Sequence, residues 1–430
     1  LHPVAHSFPT RRSSDLPPHI LIIGGGVIGT AIACHLAVKG APVTLVEAKD
    51  LASGSSGACD GLVFLQSKKP GVHLEMAMES LKRFKKLHKH LPISMEFSQT
   101  GGLVTIETDD EYRAMNAYVR DQKAIGLDVH LLDQKQVLKK EPGLSGRIIG
   151  AAYSPLDARI NPINLTLGFA LAARKHHARI LTRTPVTEIL VKNNRVTGVV
   201  TPRGVIPADL VVNAAGAAAG NVSRMAGLEM PVIPRRGQIA VTHAGPPVLH
   251  HCLISAGYIA AKYNPELART TGQGISMEQT ENGNLLLGST REFAGFDTGN
   301  TLGAIRKIIT QAAARLPALA SFQIIRTFAG LRPWTPDGLP ILGPVSKLDG
   351  FVMAAGHEGD GIALSAITGE LMADVLLDRK PAIPLDRFSP HRFEKFPLNP
   401  VFPADSEKQQ PVSQAAPKAE PRPAKKDRIQ

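Results

Sequence analysis

The run HILIIGGGVIGTAIACHLAVKGAPVTLVE, residues 19–47, constrains the fold more than any other part of the chain. Four apolar residues, Ile20 to Ile23, read as a buried strand that meets three consecutive glycines, and a helical pattern begins at once. Gly24, Gly26 and Gly29 stand at the GxGxxG spacing. The first permits a tight turn, the second lets the backbone approach a pyrophosphate, and the third lets the helix lie close on the strand. The helix N-terminus then presents free N–H groups and a partial positive charge to the phosphates. PVTLVE reads as a second strand ending at Glu47, where a carboxylate can accept both ribose hydroxyls. Val27, Ile28 and Ala48 flank these positions and belong to the same expected contact set. An acid in place of an arginine disfavours a 2′-phosphate, so a dinucleotide other than NADP is expected. A glycine-rich turn that binds nothing is the bland alternative, and it does not require strand, helix, second strand and acid in that order.

At 430 residues the chain suggests two or three domains, and 43 % hydrophobic with 20 % charged residues is ordinary for a globular protein. A net charge of +12 raises the question of nucleic acid. The basic residues are scattered, however, and aromatics are only 5 %, so no nucleic acid is expected and small acidic molecules fit as well. Cys34, Cys59 and Cys252 lie far apart without a CxxC, which argues against zinc, an iron–sulfur cluster or a disulfide framework. A cytoplasmic setting is expected, with peripheral association at the inner membrane as the alternative. His250 and His251 invite a metal, but adjacent side chains on a strand point to opposite faces, so no metal is expected. Residues 19–38 approach the length of a membrane span, yet the three glycines argue against one and no transmembrane segment is expected. SFPTRRSSDL, residues 7–16, resembles a translated sequencing adapter, and residues 1–17 are expected to be a non-native leader. Residues 398–430, rich in Pro, Ala, Lys and Gln, are expected to be disordered.

No second GxGxxG follows. VTEILV and RVTGVVT read as strands joined by an Asn-Asn turn, and DLVVNAAG as a buried parallel strand leading to Ala214, Ala215 and Gly216. FVMAAGHEGDGIALSAITGELMADVLL, residues 351–377, reads as strand, glycine-rich turn and helix, with Ile362, Ile367, Leu371 and Val375 on the apolar side. GGLVTIET, RRGQIAVTHAG and NGNLLLGST alternate as an antiparallel sheet does, and LGAIRKIITQAAARL reads as a helix burying Leu302, Ile305, Ile309, Ala313 and Leu316.

IIGGGVIGTAIACHLAVKGAPVTLVE, ASGSSGACDGLV, ADLVVNAAG, PRRGQ, AGLRPWTPDGLPILGP and GHEGDGIALSAITGELMADVL, in that order, resemble the FAD-dependent oxidases and dehydrogenases of the D-amino acid oxidase superfamily. Within it the chain is most similar to the glycine oxidase, sarcosine oxidase β-subunit and hydroxyproline dehydrogenase β-subunit group. The resemblance implies an α/β fold, α+β overall. A Rossmann-like FAD-binding domain of residues 18–95, 150–225 and 326–397 would be interleaved with an antiparallel-sheet substrate domain of residues 96–149 and 226–325.

It also implies roles. Gly24, Gly26 and Gly29 would meet the pyrophosphate, Glu47 the adenosine ribose, and Val186 would pack by the adenine. Ser53, Gly54, Ser55, Ser56, Gly61 and Leu62 would run along the pyrophosphate and flavin ring. Gly356, His357, Glu358, Gly359, Asp360, Gly361 and Ile362 would place a helix N-terminus under the flavin pyrimidine, where it stabilises the anion formed on reduction. Gly330 and Arg332 belong to the same set, and no match to a covalent attachment motif is found, so FAD is expected to be held non-covalently.

Arg332 matches the family arginine that grips the substrate carboxylate, framed by Pro333 and Pro336; its alternative is a surface turn. Where glycine oxidases carry a second carboxylate-binding arginine, this chain has Gly359, which weakens the expectation for glycine itself. His357 and Glu358 are candidates for acid–base work, with positioning as the preferred role. Tyr258 and Lys262 are candidates for the pocket lining, with core or surface roles as the alternative. The implied reaction is oxidation of the C–N bond of a glycine, sarcosine, D-amino acid or proline/hydroxyproline type substrate. Oxygen, a quinone or a partner subunit of a hetero-oligomer would take the electrons. The rival is an FAD-bearing electron-transfer or non-catalytic subunit.

Overall fold

The computed structural model describes residues 17–263 and 274–394, with the side chains of residues 261–263 left aside. The leader, the tail from residue 398 and the side chain of Lys262 therefore lie outside the described residues.

A six-stranded sheet is built around Ile20–Ile23. On one side it pairs in parallel with Val43–Val46, which pairs in parallel with Arg179–Leu181. On the other it pairs in parallel with Leu210–Asn213, which pairs in turn with Phe351–Ala355. Ile341–Pro344 closes the edge, antiparallel to Phe351–Ala355. Every residue of Ile20–Ile23, Val43–Val46 and Leu210–Asn213 is buried, as continuous apolar runs in a doubly covered parallel sheet should be. The helices Val27–Val38, Pro162–Lys175 and Gly361–Leu376 pack on one another against this sheet. Glu188–Lys192, Arg195–Thr201 and Gly204–Pro207 form a separate antiparallel ribbon. Its first turn is Asn193-Asn194, both at positive φ (51° and 57°), the geometry that suits a right-twisted hairpin.

The second sheet has eight strands in the order Ile324–Trp334, Ile233–Thr242, Leu285–Gly288, Ser276–Gln279, Cys252–Ser255, Gly102–Ile106, Gly150–Ser154 and His130–Asp133. All its pairings are antiparallel except that of Cys252–Ser255 with Gly102–Ile106. Gly150–Ser154 and most of Ile324–Trp334, which the resemblance put with the FAD-binding domain, are strands of this sheet.

Leu302–Arg315 is the expected helix, and of the expected apolar set Ile305 and Leu316 are buried and Ile309 and Ala313 half-buried against the same core, so that Leu302 alone departs. Ile305, Ile308 and Ala312 are its buried residues, while Leu302 is 76 % exposed. Leu302 opens the helix right after the N-cap Thr301, so its side chain leans off the end of the element and away from the sheet.

Candidate functional site

The first strand enters its turn at Gly24 with φ of +118°, and a Cβ there would come within 2.4 Å of the Ala214 carbonyl oxygen. A Cβ on Gly29 would lie 2.0 Å from the Gly24 carbonyl oxygen. Strand, turn and helix thus fit only because both residues are glycine. The N-cap of the helix, Gly26, makes no side-chain cap and the first turn holds no acidic residue, so the positive helix end is not neutralised from within. Val27 N–H donates to Ser56 Oγ at 3.0 Å, which draws the Ser53 to Gly61 segment across the turn. The Glu47 carboxylate accepts from Gly25 N–H at 2.6 Å and Lys49 N–H at 2.7 Å, which fixes it beside the glycines at the end of the second strand. Gly216, at φ of +55°, follows Ala214 and Ala215 on the other side of the turn. Val186 is half-buried among the apolar residues under the outer ribbon.

The same segment reaches the second sheet. Ser55 Oγ donates to the Leu331 carbonyl oxygen, and a Cβ on Gly330 would meet the Ala58 carbonyl oxygen at 2.0 Å. Arg332 follows directly. It lies on a strand opposite Arg235, so the surface-turn alternative is wrong in its geometry; the turn comes later, where Gly338 N–H donates to Thr335. Pro333 and Pro336 are not what fixes the guanidinium. Nη1 donates to the Thr290 carbonyl oxygen at 2.9 Å and Nη2 to Ser289 Oγ at 2.6 Å. Gly237 on the neighbouring strand leaves the volume, since a Cβ there would lie 2.2 Å from Nη1. A Cβ on Gly359 would lie 3.5 Å from Arg332 Nε, so the turn before the last helix reaches the same guanidinium.

That turn, Glu358–Asp360, precedes the helix Gly361–Leu376, which begins without a side-chain cap. Gly356 (φ +81°) packs against Thr335, where a Cβ would meet Cγ2 at 2.5 Å. His357 is buried, with Nε2 at 3.2 Å from Thr368 Oγ1, and burial pulls its pKa down to about 3. It is a neutral packing group at physiological pH and a poor proton carrier. Glu358 faces two guanidiniums, Arg235 Nη1 at 3.6 Å and Arg291 Nε at 3.9 Å from its Oε1. Asp360 is paired with Lys68 at 2.8 Å and His73 at 3.2 Å. Tyr258, on the helix Ala256–Tyr263, lies under Arg291, whose guanidinium carbon is 4.1 Å from the ring centre.

Several members of this cluster were not singled out from the sequence: Asp60, Arg235, Glu278, Ser289 and Arg291. Gly61 N–H donates to Glu278 Oε1 at 2.8 Å and Ser276 Oγ to Asp60 Oδ2 at 3.2 Å. Burial raises the Asp60 carboxyl against the pull of Arg332. Burial and the neighbouring Asp60 push Glu278 up to about 8. Burial, aided by Arg291 and Arg332 and opposed by Glu358, draws Arg235 down to about 10, so it remains a cation at neutral pH. The usable signal was a charged residue inside an apolar alternating strand, as in ISMEQ and VIPRRGQIAV. Burial and the neighbouring carboxylates of Asp60 and Glu278 also hold the Cys59 thiol well above its ordinary range.

His250 and His251 do not point to opposite faces. Their Nδ1 atoms lie 2.8 and 2.9 Å from the two oxygens of the buried Glu141 carboxylate, which also accepts from both backbone N–H groups. The strand begins only at Cys252, and the bend before it lets the two side chains converge. Among the described residues no group of His, Cys, Asp or Glu is arranged to hold a metal, and no helix is long and apolar enough to cross a membrane.

Glu278 carries a pH signature. Its carboxyl moves from an ordinary 4.5 to about 8, so the folded protein keeps a proton that the unfolded chain releases. The stability this confers is complete below about pH 4.5 and is lost as pH rises to about 8. Glu278→Gln is expected to flatten the fall in Tm across that window at fixed flavin; parallel Tm–pH curves for parent and variant would contradict the assignment.

Residues 19–375 match the family described as DAO, FAD dependent oxidoreductase. The chain is 31 % identical over 412 residues to hydrogen cyanide synthase subunit HcnC of Pseudomonas aeruginosa, covering 85 % of this chain and 94 % of that protein. It is 30 % identical over 383 residues to glycine oxidase of the same species, covering 86 % and 98 %. The structure of L-proline dehydrogenase from P. horikoshii superposes with a TM-score of 0.80 at 28 % identity, covering 88 % of this chain and 98 % of that one. The helix end free of acidic side chains, the two glycines that admit no Cβ, and the acid at the end of the second strand fit the dinucleotide that such a family requires. The chain belongs to the DAO family of FAD-dependent oxidoreductases.

Proposed function

We propose that this enzyme oxidises the C–N bond of a small amino acid or N-substituted amino acid, of the glycine, sarcosine, D-amino acid or proline/hydroxyproline type. Two of the relatives are named for glycine and proline, each of which carries a carboxylate beside the carbon bearing nitrogen. The observation that carries the reading is the Arg332 guanidinium. It is half-buried, and two of its donors are fixed on Thr290 and Ser289. A guanidinium has five N–H donors in a planar fork, so donors remain to meet a carboxylate in a set orientation.

Gly24, Gly26, Gly29 and Glu47 would hold the pyrophosphate and ribose. Ser53 to Leu62, Ala214 to Gly216, Gly330 and Gly356 to Ile362 would line the rest of the cofactor. FAD, when bound, would supply the two-electron acceptor for the α-hydrogen of the substrate, taken as hydride. Arg332 orients the substrate so that the α-carbon faces that acceptor, and the prior fixing of its guanidinium lowers the entropy lost on binding. The amine is taken up neutral, its nitrogen lone pair forms the C=N bond as hydride leaves, and the imine hydrolyses in water. Oxygen, a quinone or a partner subunit removes the two electrons. In domain terms, residues 18–95, 155–225 and 335–397 would form the FAD-binding part, with the strands Gly150–Ser154 and Ile324–Trp334 counted with residues 96–149 and 226–323 as the substrate part.

Anaerobic mixing of the flavin-loaded protein with a panel of amino acids and N-alkyl amino acids tests this directly. Bleaching of the oxidised flavin band by at least one member is expected. A flavin that dithionite reduces but no amino acid does would favour the FAD-bearing electron-transfer or non-catalytic subunit instead.

A further inference from the structure

Arg332 accounts for one carboxylate, yet the same buried cluster holds two more guanidiniums, Arg235 and Arg291. Arg291 is the unusual one. Its side chain is only 5 % exposed, and its Nε and Nη2 donate to no acceptor among the described residues. Its neighbours are the Tyr258 side chain, which hydrogen-bonds to it and whose ring centre lies 4.1 Å from the guanidinium carbon, and the carboxylates of Asp360 and of Glu358, the latter at 3.9 Å and beyond hydrogen-bond reach. A buried guanidinium with unbonded donors is costly, and an anion that completes them removes the cost.

Its position ties it to the same charge cluster as Arg332. Ser289 and Thr290, which hold the Arg332 fork, immediately precede it, and both arginines act on the half-buried Asp60. The described charges are unbalanced in the same direction. Three guanidiniums face Glu358 and Asp60, while Glu278 stays protonated at neutral pH. Gly359 brings no cation, so the extra positive charge in this cluster comes from Arg235 and Arg291.

We infer that Arg291 binds a second anionic group of the substrate, so that this enzyme takes amino acids carrying a further carboxylate on the nitrogen substituent or the side chain. This rests on the reading that Arg332 binds the first carboxylate. The remaining donors of Arg332 receive the α-carboxylate and those of Arg291 the distal one, with the reacting C–N bond held between two fixed points.

The test is a binding titration followed by the shift in the flavin absorption band, which needs no turnover. Flavin-loaded parent, Arg291→Leu, Arg291→Lys and Arg332→Ala are titrated with malonate, succinate and glutarate and with the matched monocarboxylates acetate, propionate and butyrate. The parent is expected to bind its preferred dicarboxylate about 10- to 100-fold tighter than the matched monocarboxylate, the range for a charge-assisted contact. Arg291→Leu should bring that ratio close to one with little change for the monocarboxylate, and Arg291→Lys, which keeps the charge, should recover part of it. Anaerobic flavin reduction by iminodiacetate against sarcosine, and by D- and L-glutamate against norvaline, then tells a nitrogen substituent from a side chain as the bearer of the second carboxylate.

A ratio near one in the parent, or a ratio that Arg291→Leu leaves unchanged, overturns the inference while leaving Arg332 intact. Equal losses for both classes in Arg291→Leu would place Arg291 on the same carboxylate as Arg332, and also overturn it. Binding of both classes untouched by Arg332→Ala would instead remove the underlying reading.

Discussion

Arg332→Ala is expected to lower kcat/KM for flavin reduction by roughly 2–5 kcal/mol, or about 30- to 5,000-fold, the range for removing one partner of a buried charge pair. The flavin should stay bound, because Arg332 hydrogen-bonds Thr290 and Ser289, just past the strand Leu285–Gly288, and no group of the turn at residues 24–29. Arg332→Lys retains the charge but loses the planar fork and with it one of the two anchors, so it should fall between parent and alanine variant. Gly237→Ala is a companion that leaves the arginine in place. Its Cβ would come within 2.2 Å of Nη1 and push the guanidinium off its anchors, and it should reproduce part of the alanine defect. An amine without a carboxylate should be indifferent to all three changes. Stopped-flow reduction under anaerobic conditions measures each effect, and parental rate and affinity in Arg332→Ala with the parent's best substrate would end the carboxylate assignment.

The second large effect is expected at Gly29→Ala. A methyl group there would lie 2.0 Å from the Gly24 carbonyl oxygen, a backbone atom with no rotamer to yield. Helix and turn must part, which moves the N-terminal N–H groups away from where they would meet the phosphates. Overpacking costs about 1–3 kcal/mol, and more where backbone has to shift. The ratio of flavin to protein absorbance after purification should drop severely, with a lowered Tm. Gly303→Ala is the control: it lies in the helix Leu302–Arg315, has no atom within 4 Å of the added Cβ, and should keep its flavin and gain slightly from helix propensity. A Gly29→Ala protein with full flavin content would show that close packing at this turn is not what holds the cofactor.

The sequence by itself determined the nucleotide half of this protein. Strand, GxGxxG, helix, strand and Glu47 are consecutive in the chain, so steric and hydrogen-bond requirements that act over a few residues leave their mark in adjacent letters. The same holds for the Asn-Asn hairpin and for the strand and helix around residue 356, where positive φ and apolar periodicity are local properties. Arg332 was legible only by resemblance, and its setting was read wrongly from the prolines beside it. What fixes the side chain is Gly237 on one neighbouring strand and Ser289 and Thr290 from a segment more than 40 positions away. The charge cluster was decided by tertiary structure alone. Asp60, Arg235, Glu278, Arg291 and Glu358 come from five separate segments, and although an apolar alternating stretch marks Arg235 and Glu278 and a glycine-rich turn marks Glu358, no local pattern brings the five together. Burial is a property of the packed whole, and burial is what turns Glu278 into a group that titrates near 8 and leaves donors of Arg291 unbonded. The converging pair His250 and His251 teaches the same lesson in reverse: the rule that neighbours on a strand diverge failed because a single bend before Cys252 brought both rings to one carboxylate.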